Sequence, residues 1–314
     1  MNIRLRLAAL GAGALVLLLL PYFLPSYFLG LATKMLIFAL FAMSLDLLLG
    51  YTGLASLGHA AYFGVAAYTV GLLALKADAS LWLALPAGLL AAGVTAAFFG
   101  LLALRARGSY FLMITLALAQ VLWAIAFSWR SMTGGDDGLP NIPRPELPLP
   151  WPLADSTPFY YFVLLVAGAA AVLLARIVRS PFGYALRGIR ESESRMLALG
   201  YNVWRYKYLA FVLAGLFAGL AGCLYVYYNR FVSPEYIHVV RSAEVLLMVI
   251  LGGAGTLVGP AIGAGVIVLL ENVISAHTQR WLMVLGAVYV VVTLFAPRGL
   301  MGLVQDYKQR RSGL

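Results

Sequence analysis

The sequence predicts an all-α, polytopic membrane protein with about ten transmembrane helices, because a crossing takes about 20 apolar residues and 63% of the 314 residues are apolar. Charged residues make up only 11% of the chain, against about 25% in a soluble domain. Mean hydropathy is +0.92. These observations exclude a soluble globular protein and a disordered chain. The net charge of +10 reports orientation in such a chain rather than a nucleic-acid partner.

The elements follow in order. Arg4 and Arg6 precede the apolar run 7–20, and no small-x-small cleavage site follows it before Pro21 and Pro25. An uncleaved first span near 7–24 is therefore expected. Further spans fall near 27–49, 58–76, 81–104, 110–129, 158–178, 207–228, 243–257, 259–276 and 280–297, bounded by Pro, Gly or charged breaks. Glycine-rich 252–265 interrupts the last group. Such broken or re-entrant segments are tolerated at membrane depth only where protein or water satisfies the freed backbone. Tyr22, Tyr27, Trp129, Tyr160, Tyr161, Tyr227 and Trp281 stand at the expected interfaces. The lone cysteine, Cys223, lies in an apolar run and reads as packing.

Charge orients the spans. With the N-terminus inside, 15 of the 22 basic residues fall inside, six fall outside, and Lys34 lies within a span. Eight of the 12 acids fall outside, among them Glu244 and Glu271. The bias satisfies the positive-inside rule and places both termini in the cytoplasm. The chain reads as one transmembrane domain, 1–314, with a proline-rich periplasmic loop at 131–157 and a basic cytoplasmic loop at 179–206.

Several chemistries are missing. No Gly-Lys-Ser/Thr occurs, so a P-loop is absent. His59, His238 and His277 lack metal-ligand spacing, and no G-x-S-x-G elbow supports a serine nucleophile. Only Lys34 and Asp46 are expected clearly inside a span, both near its ends. An enzyme or an ion-coupled carrier would carry more buried ionisable groups. Neither a catalytic set nor a bound metal or cofactor is expected.

Three segments carry the functional reading. In 50–64, glycines 50, 53, 58 and 64 break the helical pattern. Gly53, Ser56, Gly58, His59 and Tyr62 are candidates for a translocation path, with close helix packing as the alternative. In 251–265, Gly252, Gly255, Thr256 and Gly259 echo the first segment with the same expected orientation. Here too a small-residue packing ladder is the alternative. In 180–200, Ser180 reads as an N-cap and Pro181 as the first helical residue. Arg187, Glu191 and Arg195 stand four residues apart, and Gly200 ends the helix. One short amphipathic cytoplasmic helix is expected, against a protein partner or against lipid headgroups.

The stretches GYTGLASLGHAAYFG, RARGSYFLMITLALAQ, TGGDDGLPNIP, SPFGYALRGIRESESRMLALGYN and LGGAGTLVGPAIGA stand in this order. Over roughly 35–300 the chain resembles the LivM-type permease subunit of bacterial branched-chain amino acid ABC importers. The resemblance implies a permease in the inner membrane for branched-chain or other hydrophobic amino acids. Permeases for urea or amides are similar, and a stand-alone secondary transporter is the remaining alternative. It also implies a homologous second permease, a periplasmic binding protein, and two cytoplasmic ATPase subunits that hold ATP and magnesium. The coupling segment would comprise Arg187, Ile189, Arg190, Glu191, Arg195, Met196, Leu197 and Gly200. Of the family's Glu-Ala-Ala…Gly pattern, only Ala198 and Gly200 are present. Thr133, Gly134, Gly135, Asp136, Asp137 and Gly138 match the family's outer-loop motif.

Overall fold

A computed structural model describes residues 15–145 and 155–278, together with residues 13, 153, 280, 283, 284, 286, 287, 290 and 299–302. The start of the expected first span, most of the expected last span and both termini lie outside the described residues. Residues 15–23 are helical. The main helices are α1 (Ser26–Thr52), α2 (His59–Lys76), α3 (Leu81–Ala103), α4 (Ser109–Ser128) and α5 (Ser156–Arg179). They continue with α6 (Pro181–Glu191), α7 (Glu193–Ala198), α8 (Val203–Asn229), α9 (Val239–Gly252) and α10 (Val258–His277). Among the described residues, the only β pairing is an isolated antiparallel bridge between Leu139 and Val232.

Six helices, α1, α3, α4, α5, α8 and α10, are long and apolar enough to cross a bilayer. The expected spans from 27–49 to 207–228 are each recovered as a helix with ends shifted by a few residues. The expected span 243–257 is not. That helix runs Val239–Gly252, 14 residues, which is short for a crossing. Hydropathy carried the expectation into 253–257, but Gly253 (φ 105°) and Gly255 (φ 86°) take left-handed backbone that no helix holds. The count of about ten crossing helices is not reached among the described residues.

The helices sort into an inner and an outer set. α1 and α8, each 27 residues, lie at the centre. α8 packs against α1, α2 and α3, while α1 packs against α5 and α10 as well. Phe38, Phe41, Tyr62, Phe63 and Phe211 fill the space between them and are fully buried. The outer helices turn apolar faces outward: Leu90 and Val94 on α3, Leu165 and Val172 on α5, Leu269 and Val273 on α10. In lipid such faces cost nothing, so association must come from close packing rather than from hydrophobic burial.

Small residues supply that packing. A Cβ on Gly219 would lie 2.4 Å from Ala92 Cβ, and one on Gly215 would lie 2.3 Å from Ala96 Cβ. α3 and α8 therefore meet backbone to backbone along this row. The N-terminal helical stretch is tied on by hydrogen bonds: Tyr160 donates to the Leu17 carbonyl (2.7 Å) and Tyr161 to the Leu18 carbonyl (3.0 Å).

Gly219→Leu is therefore expected to cost about 1–3 kcal/mol or more through overpacking. Gly168→Ala, on α5 with nothing within 4 Å of the new Cβ, should be neutral or stabilising by up to about 1 kcal/mol. Thermal unfolding of both variants in nanodiscs checks the pair. Equal effects would remove the packing argument.

Candidate functional site at the glycine-rich turns

α1 ends where Gly53 turns left-handed (φ 78°). Residues 53–58 then run without helix back along the bundle. Leu57 N–H donates to Thr115 Oγ1 (3.3 Å), Gly58 N–H to Ser56 Oγ (3.3 Å), and Ala60 N–H to Ser242 Oγ (3.0 Å). A Cβ on Gly58 would lie 2.3 Å from the Thr115 carbonyl oxygen. The expected re-entrant break is thus present, and buried side chains from α4 and α9 satisfy it. α2 consequently starts at the level of Ser44, two turns above the end of α1.

His59 sits at that start, fully buried. Ser44 Oγ spends its proton on the Phe41 carbonyl (2.6 Å). The 2.8 Å contact between Ser44 Oγ and His59 Nε2 therefore needs the proton on Nε2. Nδ1 is then an acceptor, and among the described residues it has no partner; neither has the buried Tyr62 hydroxyl. The His59 ring stacks on Phe41 at 5.5 Å and meets Tyr62 edge-on at 5.7 Å. Of the path candidates near here, Ser56, Gly58, His59 and Tyr62 are buried, whereas Gly53 lies at the surface.

The second turn, 253–257, lies beside the first. Asp46, fully buried on α1, accepts from Gly255 N–H (2.7 Å) and Leu257 N–H (3.0 Å). Thr256 Oγ1 donates to the Gly253 carbonyl (2.8 Å) and accepts from Gly259 N–H (3.0 Å), starting α10. Gly252, Gly259 and Gly263 line the contact of α9 with α10: a Cβ on Gly263 would lie 2.0 Å from the Met248 carbonyl oxygen. A Cβ on Gly252 would likewise lie 2.0 Å from the Gly259 carbonyl oxygen. Both turns lie at one end of the bundle, and α1 and α9 run towards it in the same direction.

The segment 180–200 reaches this same end, but it is not one helix. Ser192 is extended (φ −159°, ψ 101°) and separates α6 from α7. Its hydroxyl then caps α7 by accepting from Arg195 N–H (3.4 Å). The break takes Arg195 off the face that carries Arg187 and Glu191. Ser180 stands at the N-cap position, but its hydroxyl donates backwards to the Ile177 carbonyl (2.6 Å). Ile189 and Met196 do not project; they pack with Ala185 and Val203 in a small core of their own. Leu197 (52% exposed) and Leu199 (67% exposed) project instead. Glu193 pairs with Lys207 of α8 at 2.8 Å. Arg187 lies over the Tyr51 ring at 4.9 Å, and Arg190 donates to the Gly50 carbonyl. Gly200 ends the segment in left-handed backbone (φ 84°). An open cleft of about 390 Å³, lined by Thr52, Gly53, Arg107, Glu193, Leu197 and Trp204 among others, separates this pair of helices from α1 and the start of α4.

At the other end of α8, Thr133 donates to the Ala126 and Trp129 carbonyls (2.6 and 2.8 Å). Gly134, Gly135 and Gly138 all take positive φ. Leu139 and Val232 exchange backbone hydrogen bonds of 2.8 and 3.2 Å, fixing this loop to the end of α8. Asp136 and Asp137 are exposed.

The sequence reading missed a cluster of ions, of which Glu244 is buried and Lys34, Arg241 and Glu271 are partly buried. Lys34 pairs with Glu271 at 2.9 Å, and Arg241 with Glu244 at 2.6 Å. Both cations also lie over the Phe38 ring, at 5.7 and 5.5 Å. The charge count places Arg241, Glu244 and Glu271 on the outer side. They stand inside α9 and α10: α9 starts four residues before the expected span and takes in Arg241, while Glu244 and Glu271 fall within the bounds expected for their spans. Lys34 was the available signal, since a lysine within a span demands an acid on a neighbouring helix. Among the described residues no metal-binding group of His, Cys, Asp and Glu occurs.

The family described as branched-chain amino acid transport system / permease component matches residues 27–293. The chain is 28% identical to the high-affinity branched-chain amino acid transport system permease protein LivM of Escherichia coli (strain K12), over 93% of this chain and 74% of that protein. It is 26% identical to LivH of the same organism, over 90% of this chain and 96% of that protein. It is 30% identical to the guanosine ABC transporter permease protein NupQ of Bacillus subtilis (strain 168), over 21% of each. No solved structure matches the chain significantly.

The ion cluster makes a prediction about stability. Arg241→Met leaves Glu244 buried without its partner and is expected to cost about 3–5 kcal/mol. Arg241→Met combined with Glu244→Met should recover most of that loss. Unfolding in nanodiscs reads both. A double variant no better than the single one would show that the pair is not the coupled unit.

Proposed function

Because the chain belongs to the family of branched-chain amino acid transport permease components, we propose that it is the membrane-spanning permease half of an ATP-driven importer in the bacterial inner membrane. The cargo is branched-chain or other hydrophobic amino acids. The carrying observation is the family match over 27–293, in a chain without a P-loop lysine. The energy must then arrive from outside the chain.

The parts take the following roles. α6 and α7 face the cytoplasm and dock on one of two ATPase subunits, which hold ATP and magnesium. The exposed Leu197 and Leu199 are the apolar anchors, with Glu191 and Arg195 at the rim. Buried anchors at a contact cost more to lose than rim charges. Ile189 and Met196 hold the pair of helices together rather than touching the partner. Residues 133–138 face the periplasm, where a binding protein delivers the solute. A second, homologous permease completes the path; the matches to both LivM and LivH support a paired arrangement. Both termini are cytoplasmic, and about ten helices reach membrane depth when 7–24 and 280–297 are counted. The partial match to a guanosine permease makes the solute the point to test.

Reconstitution of the chain with a second permease, ATPases and binding protein should give ATP-dependent uptake of leucine, isoleucine or valine. Uptake of a nucleoside or of urea in their place would overturn the cargo. Leu197→Asp should abolish co-purification of the ATPases while the chain still inserts. Intact assembly in that variant would return α6 and α7 to a lipid-surface role. Impermeant thiol reagents, with Cys223 replaced, should reach a cysteine at Asp137 from the periplasm and one at Glu191 only from the cytoplasm.

A further inference from the structure

Three parts of the chain meet where α1 ends, and the Asp46 carboxylate of α1 bonds to the 253–257 turn there. A Cβ on Gly50 would lie 2.2 Å from Gly255 N and 2.0 Å from Asp46 Oδ1. The two backbones are therefore in contact. The Arg190 side chain runs from α6 along this junction. A Cβ on Gly53 would lie 3.2 Å from Arg190 Cγ, and one on Gly255 would lie 3.1 Å from Arg190 Nη1. The slot is built of glycine backbone, and any side chain there would fill it.

The hydrogen bonds explain why the arginine sits there. Leu54 N–H, which would bond to Gly50 in a continuing helix, goes to the Leu48 carbonyl instead (2.9 Å). The Gly50 carbonyl is thus one of the unpaired acceptors that every helix leaves at its C-terminus. Arg190 Nη1 fills it, and a cation at that end also suits the helix dipole. One turn back, Asp46 holds Gly255 N–H and Leu257 N–H. The turn between α9 and α10 hangs on this carboxylate. Twelve residues earlier on α1, Lys34 pairs with Glu271 of α10 at 2.9 Å. α1 and the α9–α10 hairpin are therefore pinned at two levels, about 18 Å apart along the helix.

We propose that Arg190 and Asp46 form a transmission clamp that makes α1 and the α9–α10 hairpin follow α6 as one rigid body. The clamp deepens the reading of α6 and α7 as the ATPase contact and rests on it. Both residues are positioning residues: Arg190 points inward, away from the contact, and neither meets solute or nucleotide. Packed elements pass on a displacement as rigid bodies, whereas a compliant link absorbs it. The junction has backbone on two sides and charged hydrogen bonds between them, so it transmits.

The test uses the full reconstituted complex with Arg190→Ala, Arg190→Lys and Asp46→Asn. Assembly with the ATPases, melting temperature, ATP hydrolysis and solute carried per ATP are all measured. With the clamp, the Arg190→Ala and Asp46→Asn complexes assemble and hydrolyse ATP but carry at least about fivefold less solute per ATP. Arg190→Lys keeps one donor and falls between them and the wild type. Solute per ATP at the wild-type value in assembled Arg190→Ala or Asp46→Asn overturns the clamp. So does a loss of transport that only tracks loss of assembly in all three variants, which is what a merely structural role would give. Failure of the wild-type chain to bind ATPases would instead overturn the function from which the clamp was argued.

Discussion

Backbone groups at membrane depth must find partners within the protein, because the hydrocarbon offers none. The rest of this structure depends on that constraint. At two places where the chain leaves helical geometry inside the bundle, a buried polar side chain stands opposite: Thr115 and Ser242 for residues 57–60, Asp46 for residues 255–257. The Asp46 carboxylate satisfies two N–H groups at once. Its burial is tolerated because both oxygens are used, which is the condition under which a charge leaves water without ruinous cost.

The glycines have two different physical roles. Gly219 and Gly263 lie in helix contacts where any Cβ would overlap a neighbour. Gly253 and Gly255 supply backbone angles that a side chain resists. The first role holds helices together in a solvent that does not push them together. The second produces the turns that bring α1, α9 and α10 against α6. A glycine-rich stretch read only as a packing motif, or only as a cavity lining, misses half of this. Gly259 belongs to packing, while four residues earlier Gly255 belongs to the junction.

Charge divides by depth. The part of the bundle around the first half of α1 holds Lys34, Glu271, Arg241 and Glu244 as two pairs around Phe38. The end of α1 holds Asp46 with two backbone donors, and Arg190 on the Gly50 carbonyl. Between them lie aromatic rings and the Ser44–His59 bond. Such a distribution fixes α1 against its neighbours at both ends and leaves the middle to packing. It suits a helix that moves with its neighbours rather than past them.

Much of this was legible in the sequence. Hydropathy and length determined the apolar helices α1 to α5, α8 and α10, since a run of apolar residues between Pro, Gly and charged breaks has few other fates in lipid. Glycines 50, 53 and 58 announced the break before α2, and the motif order announced the family. The sequence did not reveal which polar group answers each break. Asp46 and Gly255 are 209 residues apart, and Arg190 and Gly50 are 140 apart. Nor did it reveal that Ser192 splits the amphipathic segment, so that Ile189 and Met196 turn inward and Leu197 and Leu199 outward. Periodicity reports which residues share a face of one helix. Only the folded chain decides which face of which other helix that face meets, because hydrogen-bond partners and close backbone contacts are chosen in space and leave no spacing along the chain.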